Sequence, residues 1–353
     1  MKYIDNTSYL LPLSSTVIDA LKLLNELSGT STTIFVVNAN NCVVGTITDG
    51  DLRRSLVNGV SLLDGVDKVM HQDFTAFKNG KIDIATIRIA RNKGIRIVPL
   101  LNEKGELTAV IDFNRLKSIL PIDAVLMAGG KGERLRPLTL ETPKPLLKID
   151  NKCIIDYNIE TLTQYGISNI HVTTNYLSQQ IENHFSTPIA TIHVKCVKEP
   201  KRLGTIGSTK LISDWQHSDI LVMNADLLTS INLEEFYLCH SQSNAMLTVA
   251  SFPYTVSVPY AILQDEDGNV TGLTEKPTYN YFANAGIYLL KRECLNYIPD
   301  DEYFDATDLI ETLLNHRCKV KRFTINGTWI DIGSPDDFRQ AQLLIKQHRQ
   351  LDF

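Results

Sequence analysis

The chain has 353 residues, 43% of them hydrophobic, and its 35 Lys and Arg against 40 Asp and Glu leave a formal charge of −5. That length exceeds one average domain, and a slightly acidic chain lacks the broad positive surface that nucleic acid needs, so any phosphate binding is expected to be local. No stretch approaches the roughly 18 apolar residues of a membrane span, and the first residues do not read as a leader, which predicts a cytoplasmic protein with no membrane partner. The six cysteines, Cys42, Cys153, Cys196, Cys239, Cys294 and Cys318, form no C-x-x-C pair, and the eight histidines form no H-x-x-x-H. They read as buried reduced thiols rather than a zinc framework.

Residues 10 to 120 contain a weak internal repeat. TIFVVNANNCVVGTITDGDLRRSL, from Thr33, aligns 63 residues later with RIVPLLNEKGELTAVIDFNRLKSI, from Arg96. Each copy predicts two strands around a polar turn, then a helix start. Upstream of each lies a helical pattern, VIDALKLLNELSG and DIATIRIARNKG, closed by a glycine suited to a helix C-terminus. Two such α-β-β-α units, about 10–58 and 70–120, resemble a CBS domain pair, a module that usually binds adenine nucleotides and regulates the domain attached to it. The resemblance implies a Ser/Thr-x-x-Asp motif for ribose and phosphate, carried in the first copy by Thr48 and Asp51 and replaced in the second by Ile111 and Asn114. Two readings stay open: one site for an AMP, ADP or ATP effector, or a pair that only mediates dimer contacts. Exposed helices of CBS pairs commonly associate, which favours a homo-oligomer.

The junction SILPID, Ser118–Asp123, sets a boundary near residue 120, giving a regulatory domain over 1–120 and a second domain over 121–353. Beyond it strand-like runs alternate with helical stretches, as in DAVLMAG, IIDYNIETLTQYG, NIHVTTN and DILVMNAD. Such alternation predicts an α/β fold, a mixed but mostly parallel sheet with helices on both faces, whose ligands sit beyond the carboxyl ends of the strands.

In AVLMAGGKGERLRPLTLETPKPLL, Ala124–Leu147, an apolar strand runs straight into glycines at 129, 130 and 132. Without side chains there, backbone N–H groups can cradle a polyphosphate, and Arg134, Arg136 and Lys144 add positive charge. The string is neither a Walker loop nor a G-x-G-x-x-G fingerprint. Extended to PKP, it resembles the signature of the sugar nucleotidyltransferases, which join a sugar 1-phosphate to an NTP and release pyrophosphate. EPKRLGTIGS, NAD, TEKP, NAGIY and WIDIGSP follow in that family's order. The resemblance implies a Rossmann-like, GT-A-like sheet and a Mg²⁺ cofactor.

It also implies roles. Ala128, Gly129, Gly130 and Gly132 would seat the triphosphate, with Arg134 polarising it and Lys144, fixed between two prolines, reaching the phosphates. Asp226 and Asp331 would hold the metal; Ser334, Pro335 and Asp337 already supply a helix cap, which leaves Asp331 free of that duty. Glu275 and Lys276 would take the sugar hydroxyls and phosphate, and Asn224, Asn284 and Gly286 would line the sugar pocket, although NAG also reads as a plain turn. Asp305 reads equally as helix cap or sugar contact. Glu199, with Gly204 and Thr205, would lie along the base, where a carboxylate accepts together from guanine N1–H and its 2-amino group; the alternative is a Glu199 held internally by Arg202. The expected reaction is guanylyl transfer from GTP to glucosamine 1-phosphate for bacterial surface-glycan or nonulosonic (legionaminic) acid synthesis. Mannose 1-phosphate as acceptor, CTP, UTP or dTTP as donor, and a silent nucleotide-sugar-binding subunit are the alternatives.

Overall fold

Thr16 opens the first helix through a capping box, its N–H and hydroxyl both reaching Asp19 Oδ2, at 3.1 and 2.6 Å. The computed structural model describes residues 6–27, 33–79, 81–189 and 191–351. The chain divides into two compact units, Met1–Ile119 with Gln164–Gly166, and Leu120–Thr163 with Ile167–Phe353.

The first unit runs β1 (Leu10–Pro12), α1 (Val17–Glu26), β2 (Thr33–Val37), β3 (Val43–Thr48), α2 (Asp49–Val57), α3 (Ile84–Asn92), β4 (Ile97–Leu101) and β5 (Leu107–Asp112). Both repeats form a hairpin, β2–β3 and β4–β5, each with a register irregularity one residue before the turn, at Val36/Val37 and Leu100/Leu101. Gly29, expected to close α1, lies outside the described residues, whereas Gly94 closes α3 at φ +70°.

The strands correct the repeat spacing to 64, because Thr33 and Val43 at the starts of β2 and β3 correspond to Ile97 and Leu107. Asn38 and Asn102 confirm it, each side-chain oxygen accepting from the backbone N–H groups two and four residues on. Thr48 and Asp51 therefore correspond to Asp112 and Arg115, not to Ile111 and Asn114. The second copy also starts no helix: Asp112 Oδ1 accepts from both the backbone and the side chain of Asn114 at 2.8 Å, which holds a turn.

The second unit runs β6 (Ile122–Met127), β7 (Lys148–Ile149), β8 (Lys152–Cys153), α4 (Ile154–Gln164), β9 (Ile170–Thr174), α5 (Ser178–His184), β10 (Lys195–Lys198), β11 (Asp219–Asn224) and β12 (Leu227–Thr229). It continues with α6 (Leu233–Ser243), β13 (Leu247–Ser257), β14 (Ile262–Glu266), β15 (Asn269–Thr274), β16 (Thr278–Lys291), α7 (Ala306–Asn315), β17 (Val320–Thr324), β18 (Trp329–Asp331) and α8 (Pro335–Leu351). Seven strands make one sheet in the order β10-β9-β6-β11-β16-β13-β17. It is mostly parallel, as expected, with β16 running antiparallel to both β11 and β13.

The continuous apolar runs of β6 and β11 follow from burial on both faces, since helix-covered strands have no solvent side to alternate toward. The outer parts of β13 and β16 leave this core: from Phe252 to Ser257 and from Thr278 to Phe282 they pair as a ribbon whose residues are mostly exposed. No helix among the described residues is long and apolar enough to cross a membrane.

Candidate active site

A cleft of about 210 Å³ opens where β6, β9 and β11 end, lined by Met127, Thr173 and Asn224 from those strands. Parallel strands bring their carboxyl ends to one edge, and the loops leaving them form its walls. Ala128, Gly129 and Gly130 come from the first loop. Ala128 gives its N–H to the Thr173 carbonyl at 2.9 Å. The N–H groups of Gly129 and Gly130 have no partner among the described residues, so they remain available to an anion.

Gly132 sits at φ +60°, and a Cβ there would stand 3.1 Å from Lys144 Cβ and 3.0 Å from a Thr139 methyl. The glycine therefore lets the PKP segment fold back on the loop, and Thr139 Oγ1 fastens it by donating to the Gly132 carbonyl at 2.8 Å. Lys144 is nine-tenths buried as a result. Its ammonium pairs with Asp226 Oδ2 and stands 3.6 Å from Asp331 Oδ1.

The two aspartates meet through backbone pairing. In the β12–β18 ladder Leu227 is the partner of Asp331, and Ile332 N–H donates to the Asp226 carbonyl at 3.2 Å. Burial, then the charge of Asp226, pushes the Asp331 carboxyl above its ordinary value of 3.8, against the pull of Lys144 and Arg134. Asp226 Oδ1 and Asp331 Oδ1 are buried and accept no hydrogen bond from any described residue. Arg134 belongs to the same corner: its guanidinium lies 3.1 Å from where a Cβ of Gly333 would stand.

At the other end of the cleft Glu199 is 6% exposed, with Oε1 3.0 Å from a Cβ position at Gly129 and Oε2 accepting from Leu203 N–H at 3.3 Å. Burial raises its pKa despite that hydrogen bond and the charge of Arg202. Arg202 itself stacks over the Tyr303 ring, 5.5 Å from its centroid.

Residues 123–348 match the family model described as nucleotidyl transferase, and residues 7–58 match that of the CBS domain. The chain belongs to the nucleotidyl transferase family. Among its relatives, the D-glycero-alpha-D-manno-heptose 1-phosphate guanylyltransferase of Aneurinibacillus thermoaerophilus is 29% identical over 224 residues, 63% of this chain and 97% of that one. The UTP–glucose-1-phosphate uridylyltransferase of Synechocystis sp. is 27% identical over 239 residues, 62% of this chain. There the chain spans only 62% of the relative's length. In structure, HddC from Yersinia pseudotuberculosis aligns with a TM-score of 0.51 at 25% identity, over 64% of this chain and 99% of that one.

Not every expected residue of this nucleotidyltransferase reaches the cleft. Gly204 and Thr205 line it, but the N–H and hydroxyl of Thr205 both go to Asp305 Oδ1, at 2.8 and 3.1 Å. Asp305 precedes α7 as its N-cap residue and also lines the cleft, so the cap and the wall are one residue. Asn284 is occupied locally: its amide donates to Tyr288 at 2.9 Å and accepts from Gly286 N–H at 3.0 Å. Gly286, at φ +69°, leaves room for Asn224, whose amide would be 2.5 Å from a Cβ there. Glu275 and Lys276 do not line the cleft; they occupy the exposed turn between β15 and β16. Ser334 and Asp337 do cap α8, with Ser334 N–H 2.8 Å from Asp337 Oδ2, which leaves Asp331 to the corner with Asp226.

Sequence reasoning missed Tyr303 and Thr173 as wall residues. Tyr303 carried no motif of its own; its hydroxyl donates to Asp305 Oδ2 at 2.9 Å.

The raised pKa of Asp331 predicts a measurable cost. The folded chain holds that proton more tightly than the unfolded one, so stability falls as pH rises from 3.8 through the raised folded value. Asp331→Asn is expected to melt above the parent at neutral pH in EDTA, with the gap closing as the pH drops below 3.8. A melting temperature equal to or below the parent's at neutral pH would contradict this.

Proposed function

We propose that the chain is a sugar-1-phosphate guanylyltransferase, in which an acceptor phosphate oxygen attacks the α-phosphorus of GTP and pyrophosphate leaves in line. The observation that carries this reading is the corner where Lys144 pairs with Asp226 beside Asp331, next to a loop with unpartnered N–H groups. Charge neutralisation and alignment do most of the work in such transfers, and this corner provides for both. The orphaned oxygens of Asp226 and Asp331 suit a hard cation such as Mg²⁺, which when bound neutralises phosphate charge. Gly129 and Gly130 would orient the triphosphate, Lys144 would move from Asp226 to a phosphate oxygen, and Arg134 would add positive charge at the same corner.

Guanine is favoured because Glu199 is buried beside Gly129, where Leu203 N–H and the Ser208 hydroxyl approach it, and a carboxylate with about four lone-pair sites keeps acceptor capacity for two donors on one base edge. The heptose enzyme's own name supports GTP, and the uridylyltransferase's name keeps UTP in view. For the acceptor we favour glucosamine 1-phosphate, with mannose 1-phosphate second, and a surface-glycan pathway. The deciding experiment measures pyrophosphate release with GTP, CTP, UTP, dTTP and ATP against glucosamine, mannose, glucose and N-acetylglucosamine 1-phosphates. Selective release with GTP is expected; selectivity for a pyrimidine would turn Glu199 away from the base, and no release with any pair would favour a silent binding subunit.

The 1–120 region we read as a CBS pair that senses an adenine nucleotide. In support, a cavity of about 1060 Å³ is lined by Thr48 and Asp51 of the first copy and Arg96 and Asn114 of the second, with Arg54, His71 and Lys93 adding donors. Thr48 and Asp51 also form the capping box of α2, with the hydroxyl 2.6 Å from Asp51 Oδ2, and Arg54 holds the other oxygen at 2.6 Å. Asp51→Ala is expected to abolish any change in turnover caused by AMP or ATP, with circular dichroism checking the helix; an unchanged response would move the effector elsewhere. Val57 and Leu63, 88% and 79% exposed, support self-association of this region.

A further inference from the structure

Cys153, Asp156 and His184 lie outside the cleft. Cys153 ends β8, Asp156 falls in the first turn of α4, and His184 is the last residue of α5. A thiol sulfur, a carboxylate oxygen and an imidazole nitrogen from these three lie within 4.8 Å of one another. Cys153 is buried, while the Asp156 and His184 side chains keep 14% and 25% of their exposure, so the group is covered on one side and reachable from the other.

Asp156 Oδ1 and His184 Nε2 are 2.7 Å apart, which requires a proton between them. The imidazole and the Phe185 ring pack edge to face, with centroids 4.9 Å apart and planes at 76°, which restrains the imidazole.

From this geometry we infer that Cys153, Asp156 and His184 form a binding site for a borderline divalent cation, Zn²⁺ by preference. Thiolate, imidazole and carboxylate are the donor set that zinc takes in tetrahedral sites, at about 2.0–2.3 Å, which puts donor atoms about 3.3–3.6 Å apart. The His184–Asp156 hydrogen bond therefore opens by about half an ångström or more on binding. The thiol proton leaves to solvent, the imidazole proton moves to Nδ1, and bonds form from the cation to Sγ, Nε2 and a carboxylate oxygen. Two anionic donors balance the charge of a divalent cation, so the half-buried group becomes neutral. Water would complete the shell on the exposed side.

The ion would tie the β7–β8 hairpin and the start of α4 to the end of α5. A hard oxygen site such as the Asp226–Asp331 corner has no thiolate, and sulfur ligation separates the two in the test.

The full chain, stripped with EDTA and reduced, is titrated with Co²⁺ and read by absorption. One equivalent is expected to give a thiolate-to-cobalt charge-transfer band with tetrahedral visible transitions, and Zn²⁺ should remove both. Cys153→Ser should lose the charge-transfer band, Asp331→Asn should keep it, and His184→Ala should lose the tetrahedral transitions. The His184 variant also decides the matter should Cys153→Ser fold poorly. No thiolate band in the parent, a band that survives in Cys153→Ser, or full-strength tetrahedral transitions in His184→Ala would overturn the inference.

Discussion

Asp226→Asn is expected to lower kcat for pyrophosphate release by about 10³-fold, roughly 4 kcal/mol of transition-state stabilisation, without unfolding the chain. The fold should survive because Asp226 is placed by its backbone: its carbonyl accepts from Ile332, and the preceding Ala225 gives its N–H to Met127 at 3.2 Å. Asparagine fits the same space. What it removes is charge, at the carboxylate whose buried Oδ1 accepts no hydrogen bond among the described residues. Steady-state kinetics with GTP and Mg²⁺ alongside circular dichroism would check both halves, and near-normal turnover would take Asp226 out of the cation site.

Lys144→Met should cost both stability and turnover. The ammonium lies between two carboxylates, with its own side chain 11% and that of Asp226 21% exposed. Removing it leaves like charges facing each other, and breaking a largely buried charge-assisted pair costs about 2 kcal/mol. Either a proton or a divalent cation can replace the lost charge, so the variant's melting temperature should recover when the pH is lowered or when Mg²⁺ is added. Turnover should not recover, because neither a proton nor Mg²⁺ at the aspartates replaces the ammonium that would meet the phosphate; a fall of about 10²-fold or more is expected. A variant with parental stability in EDTA would show that Lys144 does not offset the two aspartates.

What was legible in the sequence was local. The run from β6 through the glycines to Lys144 is continuous in the chain, and its buried strand, bare loop and proline-flanked lysine each announce themselves within a few residues. The meeting of Asp226 with Asp331 depends on the β12–β18 ladder, two three-residue strands about a hundred residues apart, too short to show any period. Only the family's motif order pointed to it. Glu275 and Lys276 were named by their motif alone, and they sit in the exposed turn between β15 and β16. The one-residue error in the repeat arose because aliphatic runs look alike after a shift of one, although such a shift exchanges the two faces of a strand. Asn38 and Asn102, whose side chains set the turns, held the right register all along.

The tips of those two hairpins also touch, Val43 N–H donating to the Gly105 carbonyl at 2.9 Å and Cys42 Sγ lying 3.0 Å from the Lys104 carbonyl. Each tip therefore takes part of its hydrogen bonding from the other, so a change in how one turn bends would disturb both. The residues at the far ends of the hairpins, Thr48 and Asp51 in one and Asp112 and Arg115 in the other, lie outside that constraint.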